Sequence, residues 1–230
     1  MASKAILLAV VNYNLAMTVP VRSVTVFCSS SSAVPRVYTD MAAELGRALA
    51  REGWTLIYGG NNVGTMGALA DGCRAAGGQV VGVTPRLFID KGVDDKNCHE
   101  LVVTDCMRTR KAAMEQRGDA FITLPGGLGT LEEIFEIIVG KQLGYHRKPI
   151  VLLNVDDYFA PLLAMIEHGI EQRFIKGQAR QLYFVAATVD EAIEHIRTYE
   201  PPVLADKWFG EERRDSRAEG TIEVGGAASR

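Results

Sequence analysis

Apolar and polar positions alternate along this chain with two different periods from Val21 onward. Short runs rich in β-branched residues predict strands, and longer stretches with an apolar position every three or four residues predict helices. The predicted strands are Ser23 to Cys28, Thr55 to Tyr58, Gln79 to Thr84, Leu101 to Thr104, Ala120 to Leu124, Pro149 to Leu153 and Leu182 to Val185. The predicted helices are Tyr38 to Arg51, Met66 to Ala76, Met107 to Arg117, Thr130 to Leu143, Tyr158 to Gln172 and Val189 to Arg197.

This regular alternation of strand and helix predicts a single α/β domain. The expected architecture is a doubly wound, Rossmann-like, mostly parallel sheet with helices on both faces. Right-handed crossovers would place the loops that follow successive strands along one edge of the sheet, where such proteins bind ligands. Four loops are expected there, namely Ser29 to Ser32, Gly59 to Gly67, Thr84 to Asp95 and Pro125 to Thr130.

The segment from Pro125 to Glu133 has the pattern of a phosphate cradle. It joins the apolar run that ends at Leu124 to a glycine turn and then to an acidic, amphipathic helix. Glycines let backbone amides approach a bound group, and the start of a helix aims free N–H donors at an anion. A second turn, Gly59 to Gly67, follows another predicted strand in the same way. Two such turns suggest one ligand of the size of a nucleotide.

The predicted helix from Thr130 carries an apolar stripe and several glutamates. Leu131, Ile134, Phe135 and Ile138 share one side by the 3.6-residue period, which predicts packing on the sheet or on a partner. Glu133 is expected to point almost the opposite way. Glutamates near a helix start stabilise any protein, so Glu132, Glu133 and Glu136 fit a purely structural role. Alternatively, one carboxylate is held ionised beside the cradle and aimed at a reacting carbon.

A basic cluster begins the predicted helix from Met107, and Thr104 or Asp105 is the expected cap. Arg108, Arg110 and Lys111 oppose the helix dipole there, and a bound anion would compensate for them. The alternative is a solvated basic surface in which Glu115 pairs with Lys111 at i,i+4 spacing.

Composition favours a small-molecule partner. The chain has 230 residues, is 47% hydrophobic and has a formal net charge of -3, which suits one full core and gives no general attraction for nucleic acid. The second glycine turn lacks the Gly-Lys-Ser/Thr ending of a Walker sequence, which disfavours triphosphate hydrolysis. Ser29 to Ser32, with Ser30 as the candidate, would offer hydroxyls to a ligand, although serines are also ordinary turn residues.

The remaining features predict a cytoplasmic protein without metal or membrane attachment. The cysteines form no CxxC pair and have no histidine at ligand spacing, and the histidines are scattered, so neither a zinc site nor a disulfide framework is expected. No apolar run approaches the roughly 18 residues that span a bilayer. Residues 1–20 are expected to be an extension outside the fold, and residues 201–230 a charged, mobile tail.

Taken together, the motifs resemble those of the LOG (Lonely Guy) family, the cytokinin riboside 5'-monophosphate phosphoribohydrolases. The family motif PGGxGTxxE occurs in full at Pro125 to Glu133, and its Met-x-x-Arg-Lys helix start occurs at Met107, Arg110 and Lys111. The similarity runs from about Val21 to Tyr199. Two departures, Ser29 and the Asn61 that follows Gly59-Gly60, replace glycines that are common in the family and bear on the purine end of the site.

The resemblance implies hydrolysis of the N-glycosidic bond of an adenosine 5'-monophosphate to free base and ribose 5-phosphate. It assigns Glu133 and Arg110 to catalysis and implies no metal or organic cofactor. It also implies a homodimer with each active site near the shared interface. The residues that it assigns to substrate binding are Gly126, Gly127, Gly129 and Thr130 at the phosphate, Gly59 and Gly60 in the adjoining wall, and Met107 and Lys111 along the pocket.

Two other functions remain open on the sequence. The first is a protein of the same fold that binds a nucleotide without cleaving it, although a passive site has less need of Glu133 and Arg110. The second is a scaffold in which both glycine turns are structural and the tail recruits partners.

Overall fold

The computed structural model describes residues 21–203. The predicted extension, residues 1–20, lies outside the described residues, as does the predicted tail from residue 204 onward. Among residues 21–203, no helix is both long enough and apolar enough to cross a membrane.

Seven strands form one sheet in which every pairing is parallel, in the order β4-β3-β2-β1-β5-β6-β7. The strands are β1 (Ser23–Phe27), β2 (Thr55–Tyr58), β3 (Val80–Pro85), β4 (Glu100–Thr104), β5 (Ala120–Thr123), β6 (Ile150–Leu153) and β7 (Phe184–Ala186). All seven predicted strands are present. β7 begins two residues later than predicted because Leu182 ends a 3₁₀ turn, Gly177–Gln181, instead of joining the sheet.

Within the described residues, six α-helices connect the strands and a seventh follows β7: α1 (Arg36–Arg51), α2 (Gly64–Ala75), α3 (Arg86–Asp90), α4 (Met107–Arg117), α5 (Leu128–Gln142), α6 (Ala160–Glu171) and α7 (Val189–Arg197). The sequence pattern missed α3, a helix of five residues that is too short to show a period. It also placed the start of α6 two residues early, because Tyr158 ends a 3₁₀ turn, Val155–Asp157, and Phe159 is the N-cap.

Helices cover both faces of the sheet. On one face, strand residues such as Val24 and Leu56 pack with Leu45 of α1 and Ile193 of α7 in one buried cluster. On the other face, strand residues such as Phe27, Ile57 and Phe121 pack with Ile134 of α5 and with Phe159 in a second cluster. Because neighbouring strand residues point to opposite faces, buried strands that are apolar throughout need both layers. The structure confirms the doubly wound, Rossmann-like prediction.

The strand order reverses beside β1, which lies between β2 and β5. The chain leaves β1 toward β2 and returns, after β4 and α4, to β5 on the other side. A crevice at the carboxyl ends of the strands is expected where the order reverses. The turns after β1, β2 and β5 meet there, with the first turns of α4 and α5.

Candidate active site

The structure begins α5 two residues earlier than the sequence pattern predicts. Gly127 is the N-cap, and the first helical hydrogen bond runs from the amide of Leu131 to the carbonyl of Gly127, 3.0 Å apart. The amides of Leu128, Gly129 and Thr130 come before that bond, so they have no partner within the helix. Residues 127 to 129 are exposed. An anion can therefore reach this helix start from solvent.

Gly127 and Gly129 leave space that the rest of the protein does not fill. A Cβ atom built on either residue meets nothing within 4 Å, and the φ of Gly127, -83°, is accessible to every residue type. Gly126 differs, since its Cβ would lie 2.2 Å from the Oγ1 of Thr130. The fold thus requires a glycine at position 126, whereas at 127 and 129 the missing side chains leave room for a ligand.

Thr130 has a role within the fold that the sequence did not reveal. Its buried hydroxyl donates to the carbonyl of Cys28 at 3.1 Å and fastens the first turn of α5 to the end of β1. Because this hydroxyl is engaged within the fold, the backbone amide of Thr130 is the donor that is left for an anion at the helix start.

Arg110 and Glu133 form a buried ion pair below this helix start. The Nη1 of Arg110 lies 2.6 Å from the Oε1 of Glu133, and the two residues are 3% and 5% exposed. The Nε of Arg110 donates to the carbonyl of Val83 at 2.9 Å. The guanidinium is therefore held by two partners from two different elements, β3 and α5, and it presents the carboxylate in a fixed direction.

Gly59 makes room for that guanidinium. A Cβ atom at Gly59 would lie 2.2 Å from the Nη2 of Arg110 and 2.8 Å from the Cε of Met66. The glycine after β2 is thus explained by the close approach of Arg110, which is part of the candidate site. The prediction placed Gly59 in a wall of the pocket, and the structure places it directly against the catalytic candidate.

The buried side of α5 differs from the predicted one. Thr130, Glu133, Ile134, Ile137 and Ile138 are buried, so Glu133 lies on the inner side of the helix beside the isoleucines. Phe135, predicted on the same side as Ile134, is 39% exposed. The prediction that Glu133 points away from the core is therefore wrong. The apolar period did not reveal the inner side because a charged residue occupies a core position, where its partner is Arg110.

Burial and charge act on Glu133 in opposite directions. Burial raises the pKa of its carboxyl, and the neighbouring Arg110 guanidinium lowers it, with burial the larger of the two. Glu132 raises it slightly further. The Cys28 thiol lies close by, and burial together with the Glu133 charge raises its pKa to about 12. Cys28 therefore stays a neutral thiol. The protonation state of Glu133, in contrast, depends on the balance between its burial and the charge of Arg110.

Lys111 pairs with α5, not with the residue that the sequence suggested. Its Nζ lies 2.6 Å from the Oε1 of Glu132 and 2.9 Å from the Oε2 of Glu136. These carboxylates raise the pKa of the Lys111 ammonium. The predicted alternative, an ion pair with Glu115 on its own helix, is wrong. Carboxylates of α5, and not only an anion from solution, compensate for the basic start of α4.

The start of α4 is capped by Cys106, not by Thr104 or Asp105. The amide of Cys106 donates to the Oγ1 of Thr109 at 3.2 Å, and the amide of Arg110 bonds the carbonyl of Cys106 at 3.1 Å. Met107, the first residue of α4, is 40% exposed. Met107 lies at the carboxyl edge of the sheet, and its place in the pocket stays a prediction.

Gly60 is held by a polar network that sequence reasoning missed. Its φ is +70°, which favours glycine, and its carbonyl accepts from the amide of Asp95 at 2.8 Å. The buried Asp95 carboxylate in turn accepts from the Tyr58 hydroxyl and from Arg74, each at 2.7 Å. Burial raises the pKa of the Asp95 carboxyl, but its hydrogen bonds and the charge of Arg74 together outweigh burial and lower it. These hydrogen bonds also fix the Gly59-Gly60 turn. A buried Tyr at the end of a strand was the one available signal.

The serine turn after β1 lies at the same edge. Ser30 is exposed, and the amide and carbonyl of Ser29 both bond the hydroxyl of Thr65, at 2.8 and 3.0 Å. Ser30 is thus accessible to solvent, while Ser29 fastens the turn to α2, and a ligand contact of Ser30 stays a prediction. In residues 21–203, no group of three or more His, Cys, Asp or Glu residues has the arrangement of a metal site.

Solved structures share this fold. The molybdenum cofactor binding protein from the phototrophic bacterium Rippkaea orientalis superposes with a TM-score of 0.61 at 24% identity, over 79% of this chain and 98% of that one. The molybdenum cofactor carrier protein of Chlamydomonas reinhardtii superposes with a TM-score of 0.58 at 24% identity, over 76% and 95% of the two chains. At this identity the likeness concerns the fold alone.

Sequence comparison gives much nearer relatives. The cytokinin riboside 5'-monophosphate phosphoribohydrolase of Rhodococcoides fascians is 44% identical over 180 residues, which cover 77% of this chain and 90% of that protein. A probable enzyme of the same name from Oryza sativa subsp. japonica is 42% identical over 78% of this chain and 74% of its own, and one from Arabidopsis thaliana is 39% identical over 78% and 79%.

A protein family described as "Possible lysine decarboxylase" matches residues 66–196, which include Arg110, Glu133 and the whole α5 helix start. With this match and relatives near 40% identity over most of its length, the chain belongs to the LOG family of cytokinin riboside 5'-monophosphate phosphoribohydrolases.

Proposed function

We propose that this protein is a hydrolase that cleaves the N-glycosidic bond of adenine-type nucleoside 5'-monophosphates, cytokinin ribosides among them, to free base and ribose 5-phosphate. The observation that carries the proposal is the buried Arg110–Glu133 pair just below an exposed, glycine-lined helix start. The relatives of this chain are named for the same reaction.

The start of α5 would bind the 5'-phosphate. The amides of Leu128, Gly129 and Thr130 are free of helical partners, and the helix dipole favours an anion at this end. Gly126 sets the turn, and Gly127 and Gly129 leave open space for the phosphate oxygens. Leu128, which the sequence did not single out, joins the predicted residues through its amide alone.

Glu133 would then face the reacting carbon of the sugar. It lies one helical turn beyond Thr130, about 5 Å further along the axis, so a phosphate at the helix start brings the ribose near the carboxylate. As the C1'–N9 bond breaks, positive charge develops on the ribose ring. The Glu133 carboxylate stabilises that charge and orients the attacking water. Water supplies a hydroxyl to C1' and a proton to the departing base, so no further reactant is needed.

Arg110 would act on the site in two ways. Its guanidinium orients the Glu133 carboxylate and keeps the pKa of that carboxyl from rising as far as burial alone would take it. Its Nη2 group lies beside Gly59, where it would donate a hydrogen bond to the sugar or the base. Gly59, Gly60 and Ser30 would form the wall beside the substrate, and Met107 and Lys111 would form its outer side.

A homodimer is part of this proposal. Leu128, Phe135 and Val139 fall on one side of α5 and are 86%, 39% and 42% exposed, which leaves an apolar stripe beside the candidate site. A second copy that covers this stripe would enclose the pocket. Light scattering on the purified chain, with Phe135→Lys as the disrupting variant, measures this directly. We also propose a cytoplasmic location, because Cys28, Cys73, Cys98 and Cys106 are all unpaired.

The test is turnover of AMP and of isopentenyladenosine 5'-monophosphate, with the free base followed by chromatography. Glu133→Gln is expected to lower kcat by about 10²–10³ because the developing positive charge loses its counter-charge. Arg110→Ala should lower kcat to a similar extent. Glu44→Gln and Arg47→Ala are the matched controls and should retain full turnover, because both residues are exposed on α1, which packs on the opposite face of the sheet from α5.

Three outcomes would count against the proposal. Unchanged turnover in both site variants would remove the assigned roles. Tight binding of AMP without release of adenine over long incubation would favour a non-hydrolytic nucleotide-binding protein. No binding of any adenine nucleotide by calorimetry would favour the scaffold.

A further inference from the structure

A second cavity lies at the amino edge of the sheet, opposite the candidate active site. It measures about 270 Å³ and lies between the end of α5, the start of β6, β7 and the end of α7. Its wall includes Lys141, Tyr183, Phe184, His195, Tyr199 and Glu200, together with four further described residues. Neither Arg110 nor Glu133 contributes, so this cavity is separate from the candidate active site.

Lys141 is the unusual residue of this cavity. It is only 3% exposed, and within residues 21–203 its side-chain ammonium makes neither a hydrogen bond nor an ion pair. Its one recorded partner is the ring of Tyr199, whose centroid lies 4.9 Å from the Nζ. Burial lowers the pKa of Lys141 to about 8. A buried ammonium with no anion beside it is costly for a fold to retain.

Tyr199 adds a second unsatisfied donor. Its hydroxyl oxygen is buried and has no hydrogen-bond partner in the described part of the chain. Buried hydroxyls are nearly always satisfied, so a donor without an acceptor calls for an explanation. Lys141 and Tyr199 line the same cavity, and what both lack is an acceptor. A carboxylate has two acceptor oxygens and a negative charge, which together match the ammonium and the hydroxyl.

The rest of the wall is flat and aromatic. The His195 ring stacks on Phe184 with centroids 4.2 Å apart and planes 6° apart, and Tyr199 meets His195 at 5.6 Å. Burial, followed by the charge of Lys141, lowers the pKa of His195, so this ring is neutral at pH 7 and adds no second cation. Among residues 21–203, Glu200 contributes the one carboxylate of the wall, and it repels additional negative charge. The cavity thus suits a planar ring that carries a single negative charge.

We propose that this cavity binds a small aromatic monocarboxylate, with the carboxylate on the Lys141 ammonium and the Tyr199 hydroxyl and the ring against His195. The site is independent of the phosphate cradle and of the proposed hydrolysis. Its volume is close to the lower limit for small-molecule pockets, which favours a ligand with a single ring.

The experiment is calorimetric titration of the full-length protein with benzoate. Benzoate is expected to bind with saturation, and the neutral, isosteric benzamide should bind at least about tenfold more weakly. Lys141→Met keeps the side-chain length and removes the charge, so it should abolish the preference for benzoate. Tyr199→Phe should weaken benzoate binding several-fold. Lys91→Met, an exposed lysine outside the cavity, is the control and should bind benzoate as the parent does.

Thermal unfolding of each variant distinguishes a specific loss of benzoate binding from a loss of the folded state. Absence of benzoate binding, equal binding of benzamide, or undiminished binding by Lys141→Met would each overturn the proposal. A further variant tests whether a segment of the chain itself competes for the cavity. The sequence Trp208-Phe209-Gly210-Glu211-Glu212 also combines aromatic rings with carboxylates. Tighter benzoate binding in Trp208→Ala/Phe209→Ala would assign the cavity to that segment and overturn a free ligand as its occupant. Unchanged binding supports the free ligand.

Discussion

Two cations are buried to the same extent at opposite edges of one sheet, and their surroundings differ completely. Arg110, at the carboxyl edge, is 3% exposed and contacts the Glu133 carboxylate and the Val83 carbonyl. Lys141, at the amino edge, is also 3% exposed, and within residues 21–203 its ammonium contacts the ring of Tyr199 and no carboxylate. α5 connects the two edges, since it supplies Glu133 near its start and Lys141 near its end.

The difference shows how a fold can bury charge for two purposes. At Arg110 the opposite charge is built into the chain, so the pair is ready without a ligand and stabilises the site geometry. At Lys141 no carboxylate of the described residues pairs with the ammonium, and burial lowers the pKa of Lys141 because the charged form is costly there. A buried charge with its partner indicates a preorganised site, whereas a buried charge without one indicates a place for a ligand.

The comparison predicts opposite changes in stability for two matched substitutions. Arg110→Met leaves Glu133 buried without a partner, so the free energy of unfolding at pH 7 should fall by roughly 3–5 kcal/mol. Without Arg110 the pKa of Glu133 rises further above its unfolded value. The loss should therefore shrink as pH falls through the folded pKa and the carboxyl takes up a proton. Urea unfolding across the acid range measures both effects.

The double variant Arg110→Met/Glu133→Gln is the control for that result. It removes the unpaired charge as well and should recover much of the lost stability. If Arg110→Met alone were as stable as the parent at neutral pH, the pair would not be the buried unit that the geometry indicates.

Lys141→Met should change stability in the other direction. The folded pKa, about 8, lies below the unfolded value of 10.5, so below pH 8 the folded state carries the full cost of the charge. That cost is on the order of 3 kcal/mol and disappears as pH rises from 8 to about 10.5. The parent should therefore gain stability over this pH range. Lys141→Met should be more stable at pH 7 and should lack this rise in urea unfolding. A parent profile that is flat from pH 8 to 10.5 would contradict the prediction.

A smaller effect is expected where the chain makes room for Arg110. Gly59→Ala would place a Cβ 2.2 Å from the guanidinium, so the side chain must shift and stability should fall by about 1–3 kcal/mol, with turnover of AMP falling as well. Gly129→Ala is the matched control, because its Cβ meets nothing within 4 Å and alanine favours a helix. It should raise the free energy of unfolding by less than about 1 kcal/mol and yet weaken AMP binding. An equal loss of stability in both variants would remove the steric argument.

The sequence predicted the fold well because periodicity is a local property. All seven strands and six of the seven helices were recognised, and the glycine turns fell at the expected edge. Residues whose environment depends on distant segments were predicted less well. Thr130 donates to Cys28 across 102 positions, and Lys111 pairs with Glu132 rather than with Glu115 on its own helix. Such pairings depend on how α4 and α5 pack, which no local pattern contains.

By itself, the sequence determined the order of elements, the glycine-rich start of α5 and the family motifs that single out Glu133 and Arg110. Only the tertiary structure decided that Glu133 faces inward, that Arg110 reaches it past a glycine without a side chain, and that Lys141 is buried. The physical reason is the same in each case. The free energy of a charged side chain depends on the solvent and the partners around it, and those are fixed only when elements far apart in the chain pack together.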